Sequence, residues 1–362
     1  MMMSNLPKDL VEEILSRVPF KYLRAIRSTC KNWYDLSKNR SFANKNIDKA
    51  AVSGEKEFLM ITQFNVFWVG VNLHRSQNNS FDLSIQLKAK IVSRDKKDDL
   101  FQKSQVIHCN GVFLCVREKM LVVLNPYWGQ TKRIMPRPPF GCFDRYALGY
   151  DKSSGSHKIL RLFGVNQNNL NIYDLSSSSW MIPDGTLERD MEYMKQGVSL
   201  NGDTYWYAKD KESIDWYLLC FDFTRERFGT PLPLPFSNEG YTLHKGYKSL
   251  SALKEEKLAV LLWDTMVIWV TNKIEPDAVS WSIFLKLDME PSIYCRYGNF
   301  FIDEEKKVAV VFEKDSSSWS WMYNPNYNKA YIAGENGYFK SVNLLKSPNT
   351  LQLGHLVCSY AL

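Results

Sequence analysis

Histidine is scarce in this chain of 362 residues, and no two of its five histidines have close metal-ligand spacing. The seven cysteines occur singly, without a CxxC pair, which argues against a zinc knuckle and against a disulfide framework. We therefore expect no metal and no cofactor. We also expect the thiols to be reduced and buried, as in proteins of the cytoplasm or the nucleus.

Sequence motifs of catalysis are missing as well. The chain has no phosphate-cradling glycine loop, no nucleophile-elbow serine and no HExxH pattern. Separate Ser, His and Asp residues could still meet in space, because a catalytic triad is defined by geometry and not by order. That alternative stays open at this point.

Long apolar runs and a strong charge imbalance are absent too. The most apolar stretch, from Leu258 to Val270, is interrupted by Asp264 and is shorter than the ~18 apolar residues that span a bilayer. The first ten residues, MMMSNLPKDL, lack the basic flank and apolar centre of a secretory signal, so we expect neither secretion nor a membrane. A net charge of +7, spread over the whole chain, does not indicate nucleic-acid binding.

Three short helices are predicted near the start of the chain. The first begins at Leu6 and Pro7, presents an apolar face and ends at Pro19. The second runs through Tyr22, Leu23 and Ile26, and the third through Cys30, Trp33, Tyr34 and Leu36. Helices this short cannot bury all their apolar residues among themselves. This surface therefore packs either on the rest of the chain or on another protein.

The string LPKDLVEEILSRVPFKYLRAIRSTCKNWYDL, residues 6–36, closely resembles the F-box. Its landmarks are Leu-Pro, an acid, Leu, Glu-Ile-Leu, Arg-Val-Pro, and a closing Cys-Lys-x-Trp. The resemblance implies binding to the Skp adaptor of an SCF-type (Skp, cullin, F-box) ubiquitin ligase and, through the adaptor, to cullin. The positions that match the family's adaptor-binding residues are Leu6, Pro7, Leu10, Ile14, Leu15, Val18, Leu23, Cys30 and Trp33.

Beyond residue 50 the sequence predicts an all-β structure. Short apolar runs end at Gly, Asn, Asp, Ser or Pro, and a unit of strand end, Asp or Asn, turn and aromatic recurs about every fifty residues. The clearest copies run from Asp174 to Trp180 and from Asp222 to Phe228; fainter ones surround Asn72, Asn125, Thr271 and Asn324. This period is typical of the four-stranded blades of a kelch-like propeller. Six copies predict about six blades; five, seven or an irregular sandwich stay open.

The same stretch resembles the F-box-associated interaction domain of plant F-box proteins, on segments such as HCNGVFLCV, NIYDLSSSSW and CFDFTRERFGTPLPLP. We thus expect a small all-α F-box over residues 1–45 and an all-β kelch-like propeller over residues 46–362. The segment KAKIVSRDKKDDLFQK, which starts at Lys88, is predicted to be a charged loop.

Together the resemblances imply a non-catalytic substrate receptor of a ubiquitin ligase, which holds a protein substrate near the charged ubiquitin carrier. The cysteines fit neither a thioester-forming ligase nor a RING. Two alternatives remain: a non-proteolytic interaction scaffold, and a carbohydrate or redox enzyme of kelch type. The substrate and its binding residues are unknown from sequence; loop residues Tyr127, Trp128, Arg145 and Trp321 are equally well explained as packed rim residues.

Overall fold

The structure is a computed structural model of the chain. It describes residues 7–16, 30–36, 56–61, 66–75, 80–91, 105–117, 120–125, 130–141, 144–164, 169–183, 191–194, 197–210, 216–236, 248–253, 256–262, 265–275, 278–287, 299–312, 329–343 and 355–357.

Among the described residues, two helices precede the strands, α1 (Lys8–Ser16) and α2 (Lys31–Leu36). The first helical hydrogen bond runs from the Val11 amide to the carbonyl of Pro7, whose own missing N–H is not needed there. Both helices coincide with predicted ones. The helix predicted through Tyr22, Leu23 and Ile26 lies outside the described residues. Within the described part of the chain, no helix is long and apolar enough to cross a membrane.

The described strands form six antiparallel sheets, which we number as blades 1 to 6. Blade 1 contains β1 (Lys56–Ile61), β2 (Val66–Arg75), β3 (Phe81–Ile91) and β26 (His355–Val357). Blade 2 contains β4 (Gln105–Cys109), β5 (Val112–Arg117), β6 (Met120–Asn125) and β7 (Gln130–Ile134). Blade 3 contains β8 (Arg145–Tyr150), β9 (His157–Phe163), β10 (Asn169–Asp174) and β11 (Ser179–Met181).

The second half of the chain supplies the other three blades. Blade 4 contains β12 (Met191–Met194), β13 (Val198–Leu200), β14 (Asp203–Asp210), β15 (Tyr217–Asp222), β16 (Arg227–Phe228) and β17 (Leu232–Pro233). Blade 5 contains β18 (Lys248–Leu253), β19 (Lys257–Leu262), β20 (Val267–Glu275) and β21 (Ala278–Lys286). Blade 6 contains β22 (Phe300–Asp303), β23 (Val308–Phe312), β24 (Lys329–Gly334) and β25 (Phe339–Asn343).

Blade 4 is a four-stranded blade with interruptions at both edges. Strands β12 and β13 pair with different parts of β14, and β16 and β17 pair with different parts of β15. The six strands therefore occupy four positions. All six blades share one plan, in which consecutive strands run antiparallel from the innermost to the outermost position.

The blades form a ring around the innermost strands. Strand β26 contacts β4, and β4, β8, β13, β18 and β22 contact one another in that order. The ring is closed by β26, which pairs with β1 in the register Leu59↔Val357 and Ile61↔His355. Blade 1 thus combines strands from both ends of the β region. This architecture confirms the predicted class, an all-β propeller after a small all-α segment.

Apolar side chains fill the spaces between neighbouring blades. Separate buried clusters join blades 2 and 3, 3 and 4, 4 and 5, 5 and 6, and 6 and 1. Trp180 packs against the cluster between blades 2 and 3, and Phe228 against the one between blades 3 and 4. Both aromatics of the clearest predicted repeats therefore pack between neighbouring blades.

The predicted repeat units lie in equivalent places in successive blades. Asn125, Asp174 and Asp222 are the last residues of the third strands β6, β10 and β15. Asp174 Oδ1 accepts hydrogen bonds from the amides of Ser176 and Ser177, and Asp222 Oδ1 accepts them from Thr224 and Arg225. Asp174 and Asp222 thus stabilise the turns that follow their strands. Asn72 and Thr271 lie within third strands, and Asn324 is outside the described residues.

One prediction about the strands was wrong. Residues 88–91, assigned to a charged loop, belong to β3, where Lys90 pairs with Phe67 and Ala89 with Trp68. Lysines and apolar residues alternate here, so the segment suits the outermost strand of a blade, which has one face toward solvent. The remainder of the predicted loop lies outside the described residues.

The two ends of the propeller differ in their connections. Since consecutive strands alternate in direction, the first-to-second and third-to-fourth connections share one end, and these are short turns such as Asn110–Gly111 and Asn201–Gly202. The other end carries the connections between blades, and we call it the long-loop end. These connections join Ile91 to Gln105, Ile134 to Arg145, Met181 to Met191, Pro233 to Lys248, Lys286 to Phe300, and Asn343 to His355.

Candidate functional site: two protein-binding surfaces

The first candidate surface is the apolar face of α1. Leu10 and Ile14 lie one helical turn apart, and their exposed fractions are 51% and 43%. Leu15, at 2% exposed, is buried. Exposed leucine and isoleucine side chains at this spacing form a stripe of the kind that another protein can cover.

The other predicted adaptor-binding residues are distributed as follows. Pro7 is exposed before α1, Cys30 is exposed before α2, and Trp33 is partly buried within α2. Leu6, Val18 and Leu23 lie outside the described residues. The role of all nine residues in adaptor binding stays a prediction.

The second candidate surface lies at the long-loop end, where a buried arginine organises the connection between blades 2 and 3. The guanidinium of Arg161, on β9, is fully buried and lies 2.6 Å from Asp144 Oδ2. It also donates hydrogen bonds to the carbonyl oxygens of Arg137 and Pro139 and lies over the ring of Phe163, 4.5 Å from its centroid. One side chain therefore fixes the backbone of the connection at two points.

A second pair of hydrogen bonds ties this connection to the end of β11. The indole Nε1 of Trp180 donates to the carbonyl of Met135 at 3.0 Å, and Arg137 Nη2 donates to the carbonyl of Trp180 at 2.7 Å. We call residues 135–141 and 180–183 together the loop-end surface. Its sequences, MPRPPFG and WMIP, contain four prolines and no acidic residue.

The loop-end surface concentrates exposed apolar residues. Of the seven large hydrophobic residues that are exposed in the described part of the chain, four belong to it: Met135, Phe140, Met181 and Ile182. Ile182, at 71%, is the most exposed of all seven. Two others are Leu10 and Ile14 of α1, so the two candidate surfaces account for six.

Sequence reasoning did not single out the loop-end surface. Of the loop residues considered from sequence, Tyr127, Trp128 and Trp321 lie outside the described residues, whereas Arg145 is partly buried at the start of β8, at the long-loop end. One sequence feature could have indicated this surface, the run Met-Pro-Arg-Pro-Pro-Phe between two strands. Its prolines restrict the backbone, and its large apolar residues lie in a connection where they are exposed.

The opposite end of the propeller has polar groups that pair between its own turns. Lys158, buried at the start of β9, lies 2.8 Å from Glu226 Oε1 and 3.5 Å from Asp151 Oδ2. Burial by itself would lower the pKa of Lys158, but the hydrogen bonds and charges of Glu226 and Asp151 outweigh it and raise that pKa. These ion pairs join a turn of blade 3 to a turn of blade 4, so a structural role explains them.

Of the described cysteines, Cys109, Cys115 and Cys220 are buried, whereas Cys30, which was also expected to be buried, is exposed. Burial raises the pKa of Cys115 and of Cys220 to about 12, which keeps both thiols protonated and unreactive at neutral pH. No cluster of three metal-binding side chains occurs in the stretches that the structure describes.

The comparisons with known proteins agree with this architecture. Residues 3–45 match the F-box domain family, and residues 57–361 match the family described as F-box associated beta propeller domain. The chain belongs to the F-box proteins that carry an F-box-associated β-propeller domain.

Named relatives of this F-box protein come from Arabidopsis thaliana. F-box protein At3g20690 is 48% identical, covering 99% of this chain and 98% of its own, and F-box/kelch-repeat protein At3g16740 is 40% identical, covering 99% and 97%. Among solved structures, an oligogalacturonate lyase from Vibrio parahaemolyticus aligns with a TM-score of 0.44 at 7% identity, over 82% of this chain and 81% of that one. A likeness this weak carries no functional argument.

Proposed function

We propose that this F-box protein is a non-catalytic substrate receptor of an SCF-type ubiquitin ligase in the cytoplasm or the nucleus. In this function, the apolar face of α1 binds a Skp-type adaptor, which connects the chain to cullin, and the propeller holds a protein substrate. The observation that carries the proposal is the exposure of Leu10 and Ile14 on a helix of an F-box. Both side chains are about half exposed, so covering them on a partner contributes about 0.7–1.5 kcal/mol each.

The test is capture of a Skp-type adaptor by the purified full chain. Leu10→Glu together with Ile14→Glu places two charges in the apolar face, and we expect capture to fall at least about a hundredfold, because neither charge finds a partner in an apolar contact. The matched control is Ile283→Glu on β21 of blade 5, an equally exposed apolar residue at 47%. This control should capture the adaptor at the wild-type level.

Unchanged capture by the double variant, with an unaltered melting temperature of the propeller, would contradict adaptor binding through α1. A second measurement separates the receptor from a scaffold: cullin should co-purify with the wild-type chain in the presence of the adaptor. Adaptor binding without cullin would instead favour a non-proteolytic scaffold.

A further inference from the structure

The loop-end surface has the composition of a docking surface. Surface hydrophobic residues scattered singly need no explanation, but here four of them lie within eleven residues of two segments that are hydrogen-bonded to each other. In the rest of the described propeller, Ile283 is the single large hydrophobic residue that is comparably exposed.

This surface is also held in one conformation. Arg161 anchors the backbone at Arg137 and Pro139, Trp180 anchors it at Met135, and prolines fix φ at four positions. A rigid surface loses little conformational entropy when it binds, which leaves more of the contact energy for affinity. The anchoring side chains are those of Arg161, Trp180 and Arg137, so the exposed apolar side chains themselves are not used for it.

Among the described residues, the charges beside the loop-end surface favour a negatively charged partner. Arg137 is exposed, and its guanidinium has a backbone carbonyl but no carboxylate as partner among the described residues. Arg145, at the same end, has an Nε that is buried without a hydrogen-bond partner in the described structure. The nearby Asp144 is already paired with Arg161. The surface therefore combines apolar side chains with the positive charge of Arg137, which no carboxylate of the described residues pairs.

We propose that the loop-end surface is the substrate-docking surface of the propeller, and that it binds a protein segment in which Asp or Glu residues alternate with large apolar residues. The apolar side chains would cover Phe140 and Ile182, and a carboxylate would pair with Arg137. This inference rests on the proposed receptor function and specifies the chemistry of its substrate.

The test uses the full chain in complex with its Skp-type adaptor and arrays of short synthetic peptides in three matched sets. The first set mixes Leu and Phe with Asp and Glu, the second mixes Leu and Phe with Lys and Arg, and the third mixes Ser and Gly with Asp and Glu. We expect binding to concentrate in the first set. Phe140→Ser with Ile182→Ser should remove it, because the apolar contact area is lost.

Charge reversal gives the sharper readout. Arg137→Glu should weaken binding of the first set about tenfold and strengthen the second set, because like charges at an interface repel. The matched control is Arg227→Glu on β16, another exposed arginine, which should leave both sets unchanged. Circular dichroism and the melting temperature verify that every variant is folded.

Several outcomes would overturn this proposal. They are equal binding of acidic and basic sets, no binding by any set, and binding that ignores the substitutions. Dimerisation of the chain that Ile182→Ser abolishes would assign the surface to a second copy instead. If peptides bind only after residues 184–190 are replaced by Gly and Ser, the loop-end surface is a docking site for that segment of the chain itself. In each case, adaptor capture that depends on Leu10 and Ile14 would leave the receptor function standing.

Discussion

Arg161 and Asp144 form an ion pair in which the guanidinium is fully buried and Nη2 lies 2.6 Å from Oδ2. The pair joins the second strand of blade 3 to the residue just before its innermost strand. Because the same guanidinium holds the carbonyls of Arg137 and Pro139, the stability of blade 3 and the conformation of the loop-end surface depend on one residue.

Loss of this arginine should be costly. Arg161→Met leaves Asp144 as a buried charge without its partner, and we expect the free energy of unfolding to fall by about 3–5 kcal/mol. Arg161→Met combined with Asp144→Leu removes both charges and should be more stable than the single variant. Urea unfolding of the wild type, Arg161→Met, Asp144→Leu and the double variant measures the coupling. Strictly additive losses would show that the two residues are not coupled.

A substitution at Gly149, on β8, should lower the free energy of unfolding through a steric clash. A Cβ at this position would lie 2.1 Å from Cδ2 of Phe223 and 2.3 Å from the carbonyl oxygen of Gly202, so blades 3 and 4 would have to separate. We expect Gly149→Ala to lower the free energy of unfolding by about 3 kcal/mol, as overpacking of a core does.

The matched control for this change is Gly111→Ala. A Cβ at Gly111 meets no atom within 4 Å, and only its φ of 73° opposes the substitution. We expect a loss of about 1 kcal/mol there, the usual cost of a left-handed alanine. Equal losses for the two variants, measured by urea unfolding, would contradict the steric argument.

The middle strands of the blades were predictable from sequence because their residues are buried on both faces. Among the short apolar runs of the sequence, KILRLFG and KLAVLLW form second strands, β9 and β19. First and fourth strands were harder to find. In β21, for example, exposed and partly buried residues alternate, and in β16 only Arg227 and Phe228 pair. A short or half-exposed strand has too weak an apolar pattern to be recognised.

The two candidate surfaces also differ in how well the sequence predicts them. The helical spacing of Leu10 and Ile14 is a local property, so a single stretch of sequence predicts it. The loop-end surface depends instead on contacts between distant residues, since Trp180 contacts Met135 and Arg161 contacts Arg137 across different strands. Nothing local distinguishes Arg161 from an exposed strand arginine, so its role could not be predicted.

His108 predicts how stability depends on pH. Burial, with a smaller effect from the charge of His157, lowers the pKa of His108 from 6.5 to about 3, and its Nε2 accepts a hydrogen bond from the Gly111 amide. As the pH falls below 6.5, the unfolded chain binds a proton at this residue before the folded chain does. The stability provided by the neutral imidazole is therefore complete above pH 6.5 and is lost progressively toward pH 3.

The variant His108→Asn should show this directly. At neutral pH we expect this variant to have a lower free energy of unfolding than the wild type. Because it lacks the titrating group, the difference should shrink as the pH falls, by up to about 1.4 kcal/mol per pH unit. Urea unfolding at several pH values between about 7 and 5 measures this difference. If the difference in the free energy of unfolding stays constant across this pH range, the low pKa of His108 is contradicted.

The pairing of β26 with β1 predicts the effect of a C-terminal truncation. Removal of residues 355–362 takes away the innermost strand of blade 1 and exposes the edge of β1, where three register pairs are formed. We expect a loss of about 3 kcal/mol, at about 1 kcal/mol per pair, and self-association through the free strand edge. Removal of residues 358–362 alone is the control, since it retains the strand. Calorimetry gives the melting temperatures, and sedimentation velocity detects association. If both truncated proteins melt at the same temperature and stay monomeric, the terminal strand does not stabilise the ring.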